Sequence, residues 1–140
     1  MEIIIASVIL AALVTAFSAA VVQQARLKKE VAVRNAAFQL MENRLKDWST
    51  KAANVNGYFK NHTMPYTESE NNVDGQFSID KTIELASIPG NPLTVNLTGG
   101  DNVTYPLYQL TVVVSWDNNS HSVSGTTLVA ADVIPQSSGN

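Results

Sequence analysis

The sequence contains no cysteine, and its first 56 residues contain neither glycine nor proline. The absence of cysteine excludes disulfides, thiolate nucleophiles and zinc–thiolate sites together. All seven Gly and all five Pro residues lie at or after Gly57, and these two residue types are the strongest breakers of regular structure. The chain of 140 residues therefore has an unbroken N-terminal segment and a C-terminal segment that contains the turns.

Charge is scarce and unevenly distributed. Charged residues make up 15% of the chain and hydrophobic residues 45%, a balance that is not typical of a disordered protein. Residues 1–50 carry six Lys/Arg and four Asp/Glu, for a net charge of +2, whereas residues 51–140 carry three and eight, for a net charge of −5. Because nucleic acid is bound by clustered positive charge, we do not expect it as the main ligand.

An apolar run of twenty residues extends from Ile3 to Val22, and its only polar members are Ser7, Thr15 and Ser18. A helix of this length is roughly 30 Å long, which matches the hydrocarbon core of a bilayer. The sequence therefore predicts that residues 1–24 form a hydrophobic helix that can span a membrane.

Three other interpretations of this run remain. A secretory signal peptide would need a basic start and a small-residue cleavage site, which only residues 16–18 or 18–20 offer. A plain membrane anchor explains the run but not the acidic Glu2 at its edge, and a buried core helix would need a larger chain to enclose it.

Arg26, Lys28 and Lys29 follow the run and would hold the C-terminal side in the cytoplasm, unless a basic leader has been removed.

Glu2 lies at the margin of the apolar run, where a carboxylate is costly and usually has a partner or a role. The alternative is that Glu2 merely lies among the lipid headgroups. The sequence M-E-I-I-I-A-S-V-I-L-A-A-L resembles the start of type IV pilins and type II secretion pseudopilins, and the resemblance extends to about residue 55. In that family a short basic leader is removed, and a glutamate follows within a few residues of the new, methylated N-terminus. A phenylalanine and two or three more residues usually precede this glutamate, whereas only Met1 does here. We therefore expect either that residue 1 of this numbering lies inside the mature chain or that the cleavage site is atypical.

The resemblance implies a structural subunit of a type IV pilus-like filament, a homo-oligomer with the ladle-shaped pilin fold. It implies that Glu2 pairs with the N-terminus of a neighbouring subunit. It also implies a prepilin peptidase and an inner-membrane assembly machinery as partners, with the subunit in the bacterial inner membrane before assembly and in an extracellular or periplasmic filament afterwards. Such filaments serve adhesion, motility, DNA uptake or secretion. The residues expected to drive assembly are Glu2, Ile3, Ile4, Ile5, Val8, Ile9, Leu10, Leu13, Val14 and Phe17.

Residues 25–56 continue the helix with apolar residues on one side only. The stripe follows 4-3 spacing and consists of Leu27, Val31, Phe38, Met41, Leu45, Trp48, Ala52 and Val55, with the polar Arg34 at one seam position. Asn54, Asn56 and Gly57 supply the stop signal. The stripe suits a two-stranded coiled coil or packing on a sheet of the same chain. We favour the sheet, with Phe38, Met41, Leu45 and Trp48 in contact with it.

Residues 57–140 are expected to form an antiparallel β domain, so the predicted fold class is α+β. Residues 57–75 are polar, contain Pro65 and are predicted to be a loop pinned by aromatic residues. Alternation of apolar and polar residues predicts strands around residues 77–85, 93–97, 108–116 and 121–130. Together they predict a sheet of about four strands with one apolar face.

The sequence favours no catalytic or metal site. His62 and His121 are predicted at the surface, and neither has another His or Cys at metal-ligand spacing. Asp101–Asn102 and Asp117–Asn118 are typical of turns and lack calcium-loop spacing. No G-x-S-x-G motif is present. We therefore expect that the protein is not an enzyme and binds no cofactor or metal.

Four glycosylation sequons occur, at Asn61, Asn96, Asn102 and Asn118.

The alternative function belongs to a different class. In it, the chain is a single-pass membrane-anchored protein whose β domain binds a partner and whose helix dimerises as a coiled coil.

Overall fold

The structure, a computed structural model, describes residues 2–54, 57–100 and 102–131. Val55 of the predicted stripe, Asn56 of the stop signal and Asp101 of the predicted turn lie outside the described residues. The chain forms two compact units, residues 1–36 and residues 37–140. The elements in chain order are α1 (Glu2–Ala53), β1 (Tyr66–Val73), β2 (Phe77–Leu85), β3 (Leu93–Asn96), β4 (Asn102–Tyr105), β5 (Leu107–Trp116) and β6 (His121–Ala130).

Helix α1 is continuous over 52 residues, as the absence of glycine and proline predicted. Its ends are complementary to the helix dipole, because Glu2 lies in the first turn and Lys51 in the last. Lys51 also pairs with Asp47 one turn earlier, at 3.1 Å. After Ala53 the chain turns, and the amide of Gly57 donates to the carbonyl of Asn54 at 3.0 Å.

The main sheet has four antiparallel strands in the order β1-β2-β5-β6, whereas β3 and β4 pair as a separate two-stranded sheet. Strands β5 and β6 form the hairpin predicted from their alternation, in one unbroken register from Leu107↔Ala130 to Trp116↔His121. The turn between them has positive φ at Asp117, Asn118 and Asn119, a conformation that Asn and Asp tolerate better than most residues. The fold class is therefore α+β.

Two of the predicted strand positions need correction. Strand β1 lies inside the segment 57–75 that was predicted to be a loop, and it forms one edge of the main sheet. The predicted strand around residues 93–97 is present as β3, but it pairs only with β4 and does not join the main sheet. Strand β1 was missed because its partly buried positions include the charged residues Glu68 and Glu70. Burial alternates along the strand, but the apolar and polar residues do not alternate with it.

The core lies where the C-terminal half of α1 meets the sheet. Trp48 and Ala52 of α1 form a buried cluster with Phe59, Ile83 and Leu110, and Leu45 packs against its edge. The Trp48 ring meets the Phe59 ring edge-on at 5.2 Å between centroids. The predicted helix–sheet contact is thus present for Leu45 and Trp48, and Met41 is buried as well.

Phe38, which was predicted to pack on the sheet, is not among the buried residues of the helix. Its side chain is 48% exposed, and the neighbouring Ala37 is fully buried instead. The helix also approaches β6 closely at Gly125, where an added Cβ would overlap the sulfur of Met41. Leu27 and Val31, at the start of the predicted stripe, are exposed.

An ionic cluster around the buried Lys81 joins the helix to the sheet. Lys81 of β2 is only 3% exposed, and its Nζ donates to Glu68 Oε1 at 3.0 Å and to Glu70 Oε1 at 2.5 Å. The guanidinium of Arg44 on α1 donates to the other oxygen of Glu70 through Nε at 3.1 Å and Nη2 at 2.9 Å. The Lys81 ammonium also lies over the Trp48 ring, 5.3 Å from a ring centroid.

This cluster shifts the pKa values of its members in consistent directions. The hydrogen bond from Lys81 lowers the pKa of Glu68, against the opposing effect of burial. Burial is the largest single influence on Glu70 and raises its pKa, but the hydrogen bonds from Lys81 and Arg44 outweigh it, so the net pKa is lowered. Burial likewise opposes the charge of Lys81, and hydrogen bonds to the two carboxylates leave its pKa raised. The cluster therefore stays ionised at neutral pH.

Candidate functional site: the exposed apolar helix

The apolar run of α1 is exposed along its whole length. Residues 3–22 are all exposed within the described chain, from Ile3 at 85% to Val21 at 49%. The predicted assembly residues Ile3, Ile4, Ile5, Val8, Ile9, Leu10, Leu13, Val14 and Phe17 are among them. None of the residues in the apolar window of this helix is buried within the described chain.

The three polar side chains in the run do not interrupt its apolar character. Ser7 donates to the carbonyl of Ile4, Thr15 to that of Ala11, and Ser18 to that of Val14, each at 2.8 Å. A hydroxyl that is satisfied by its own helix costs little in a medium without water. The surface that the run presents is therefore apolar on every side.

By length and composition α1 is a candidate membrane span. Transfer of a large aliphatic or aromatic side chain out of water contributes roughly 1.5–3 kcal/mol. The predicted assembly set contains nine such residues, so their full burial contributes on the order of 14–27 kcal/mol. A lipid bilayer or the apolar surfaces of other chains could supply this burial.

Glu2 lies at the start of the helix and is exposed. The carboxylate is close to the free amides of the first turn, which favour negative charge there. Among the described residues it forms no ion pair within the chain. The one acidic residue beside the apolar run is therefore available to a group outside the described chain.

The histidines lie in two different environments. His121 is exposed, stacks on Trp116 and lies 3.8 Å from Asp117. His62, predicted at the surface, is instead half-buried among aromatic rings, with the Tyr66 ring 4.3 Å away. Its Nδ1 is buried, and within the described residues it has no hydrogen-bond partner. Aromatic residues were predicted to pin a loop around His62, but the strand that places Tyr66 against its ring was not predicted.

The described residues contain no group of three or more His, Cys, Asp or Glu side chains placed to hold a metal ion. In the turn at Asp117, the hydroxyl of Ser120 donates to the Asp117 carbonyl at 2.5 Å and lies 3.2 Å from its carboxylate. These hydrogen bonds explain the turn without a cation.

Near the end of α1, Tyr58 donates its hydroxyl to Glu68 at 2.9 Å, and this hydrogen bond raises the pKa of the phenol. Lys51 lies over the Tyr58 ring at 4.9 Å. These contacts attach residues 57–62 to the first sheet strand and to the helix, so the aromatic residues have a packing role.

Comparisons of the chain with models of known protein families, with curated proteins and with solved structures found no match.

Proposed function

We propose that this protein is a structural subunit of a type IV pilus-like filament. Residues 2 to about 22 insert in a bacterial inner membrane before assembly and pack against the same segment of neighbouring subunits afterwards. The β domain then lies on the outside of an extracellular or periplasmic filament, in the arrangement of the ladle-shaped pilins.

The observation that supports this proposal best is one continuous helix with two different surroundings. Its first part exposes an apolar surface on all sides, and its last part is buried against a sheet. An exposed apolar helix can exchange lipid contacts for contacts with like helices at small net cost, because both environments are apolar. The folded β domain would remain in water throughout.

Glu2 supplies the specificity that apolar contacts lack. In an apolar filament core an unpaired carboxylate is strongly disfavoured, so a subunit docks only where Glu2 meets a positive group. In the pilin scheme that group is the N-terminal amine of a neighbour. The pair would fix the axial position of each incoming subunit.

Replacing Glu2 by Gln tests the proposal. We expect the variant to insert in the membrane as the wild-type protein does, because the apolar run is intact, but to be absent from filaments sheared from the cells. Glu30→Gln is the matched control, since Glu30 is exposed on the same helix beyond the apolar run. Filaments that contain the Glu2 variant at normal yield would remove the pairing role.

The alternative, a membrane-anchored β domain that dimerises, is favoured by a separate observation. Leu27, Val31 and Phe38 remain exposed on one side of α1. A coiled coil would bury them. Electron microscopy of filaments sheared from the cell surface, with an antibody to the β domain, separates the two functions: labelled filaments are expected from a pilin-like subunit and none from an anchored dimer.

A further inference from the structure

Four sequons for N-linked glycosylation lie in the β domain, and the filament proposal does not use them. The acceptor residues are Asn61, Asn96, Asn102 and Asn118, and all four are exposed. Exposure alone does not distinguish them. The local structure of each three-residue sequon does.

A glycosyl transferase must reach the amide nitrogen of the asparagine and the hydroxyl two residues later at the same time. The residue between them has to move with the chain when the sequon enters an enzyme pocket. A sequon whose middle residue is buried, or whose hydroxyl is already bonded within the fold, is therefore a poor acceptor in the folded protein.

Three of the sequons fail this condition. The middle residue of the first is His62, which is half-buried among aromatic rings, and that of the third is Val103, which is only 4% exposed. In the fourth, the required hydroxyl is that of Ser120, which is bonded to the carbonyl of Asp117. Binding any of these three sequons would break packing or a tight turn.

The second sequon, Asn96-Leu97-Thr98, meets the condition at every position. Leu97 is 46% exposed, and Asn96 and Thr98 are exposed as well. Among the described residues, neither the Asn96 amide nor the Thr98 hydroxyl forms a side-chain hydrogen bond. By contrast, the amide of Asn91 forms three, to the carbonyls of Ala86 and Leu107 and from the amide of Leu107.

The backbone around Asn96 also permits the required movement. Gly99 and Gly100 follow the sequon with positive φ, which leaves the chain free of Cβ constraints there. Strand β3 belongs to a sheet of only two strands with four residue pairs, and a two-stranded sheet is marginally stable on its own. The sequon can therefore separate from its partner strand without opening the main sheet.

We propose that Asn96 is the acceptor of an N-linked oligosaccharide. The step is a transfer from a lipid-linked sugar phosphate: Asn96 Nδ2 forms a bond to the anomeric carbon, the bond from that carbon to the phosphate oxygen breaks, and the amide loses one proton to a base of the transferase. The inference rests on the proposed function in one respect, since the domain must be exported to meet such a donor.

The test is the mass of the full-length protein isolated from its own cells, with peptide mapping of any added sugar. We expect a mass excess of one oligosaccharide on the peptide that contains Asn96. It should be lost in Asn96→Gln and in Thr98→Val, which keeps the side-chain shape without the hydroxyl, and be retained in Thr98→Ser. Asn102→Gln is the matched control, because Asn102 lies directly opposite Asn96 in the register, and it should keep the sugar.

Protease added to intact cells, after removal of any outer barrier, reports separately whether the β domain is outside the inner membrane. An exported domain with no sugar on Asn96, or with sugar only at another sequon, overturns the inference and leaves the filament proposal standing. A domain protected in the cytoplasm overturns both the filament proposal and this inference.

Discussion

Replacing Lys81 by Met should reveal how strongly the helix is attached to the sheet. The substitution keeps an unbranched side chain of similar length and removes one positive charge that is 3% exposed. It leaves Glu68 without its lysine partner and Glu70 with Arg44 alone. It also removes the cation above the Trp48 ring.

The expected loss follows from these contacts. Removing one partner of a fully buried ion pair costs about 3–5 kcal/mol. The two carboxylates here keep side-chain exposures of 33% and 27%, so water can solvate them in part and the lower end of that range applies. We expect a loss of about 2–3 kcal/mol in the free energy of unfolding, or about 8–20 °C in Tm for a domain of this size.

Denaturant unfolding of residues 25–140 at neutral pH, followed by circular dichroism, measures this loss. Lys60→Met is the control, because Lys60 is exposed, and it should change stability by less than about 0.5 kcal/mol. Adding Glu68→Gln to the Lys81 variant should restore part of the stability, since Glu68 is then no longer an unpaired carboxylate and Glu70 keeps its pairing with Arg44. A Lys81 variant as stable as the control would refute the reasoning.

The dependence of stability on acidic pH is a second test of the same cluster. The pKa values of Glu68 and Glu70 are lowered below the ordinary 4.5 in the folded protein. Their contribution to stability is therefore present above pH 4.5 and is lost as the pH falls below that value through the folded pKa values. The Lys81 variant should lose less stability than the wild type over this acid range. Equal acid sensitivity would contradict the assigned pairing.

Three further predictions concern the packing and the two ends of the helix. Gly125→Ala should destabilise the β domain by about 1–3 kcal/mol, because its methyl group overlaps Met41; Ser124→Ala, at an exposed position, is the control, and equal stabilities would exclude the close approach. Residues 25–140 alone should be folded and monomeric at micromolar concentration, and a stable dimer in sedimentation would favour the coiled coil. In a filament α1 should remain helical through residues 11–22, because broken backbone hydrogen bonds cost several kcal/mol in an apolar core; an extended stretch in filament density would refute this.

Some parts of this fold could be predicted because they follow from local patterns of apolar, polar and turn-forming residues. The membrane-length run needs only a count of apolar residues, and the absence of glycine and proline fixes its continuity. The β5–β6 hairpin needs only alternation, since Leu110, Val112 and Val114 are all buried on one face. A turn of Asp and Asn residues closes it. In each case the evidence lies in one continuous segment of the sequence.

Strand β1 could not be predicted in this way. The side chains that it turns toward the ionic cluster include two glutamates, and their partners Lys81 and Arg44 are 11 and 26 residues from Glu70 along the chain. Local alternation therefore shows polar residues on both faces, which is typical of a loop. Only the folded arrangement shows that the charges on one face are paired.

The position of Phe38 was missed for a different reason, the phase of the helix. An α-helix turns about 100° per residue, so a 4-3 pattern drifts along a straight helix. Measured from Trp48, Ala37 and Met41 lie within about 20° of the buried direction, whereas Phe38 is about 80° away. Gly125 lets the helix approach β6 closely at Met41, so a small residue suits the buried position one turn before it. Ala37 therefore occupies the buried position. The larger Phe38 lies on the side of the helix where Leu27 and Val31 are also exposed.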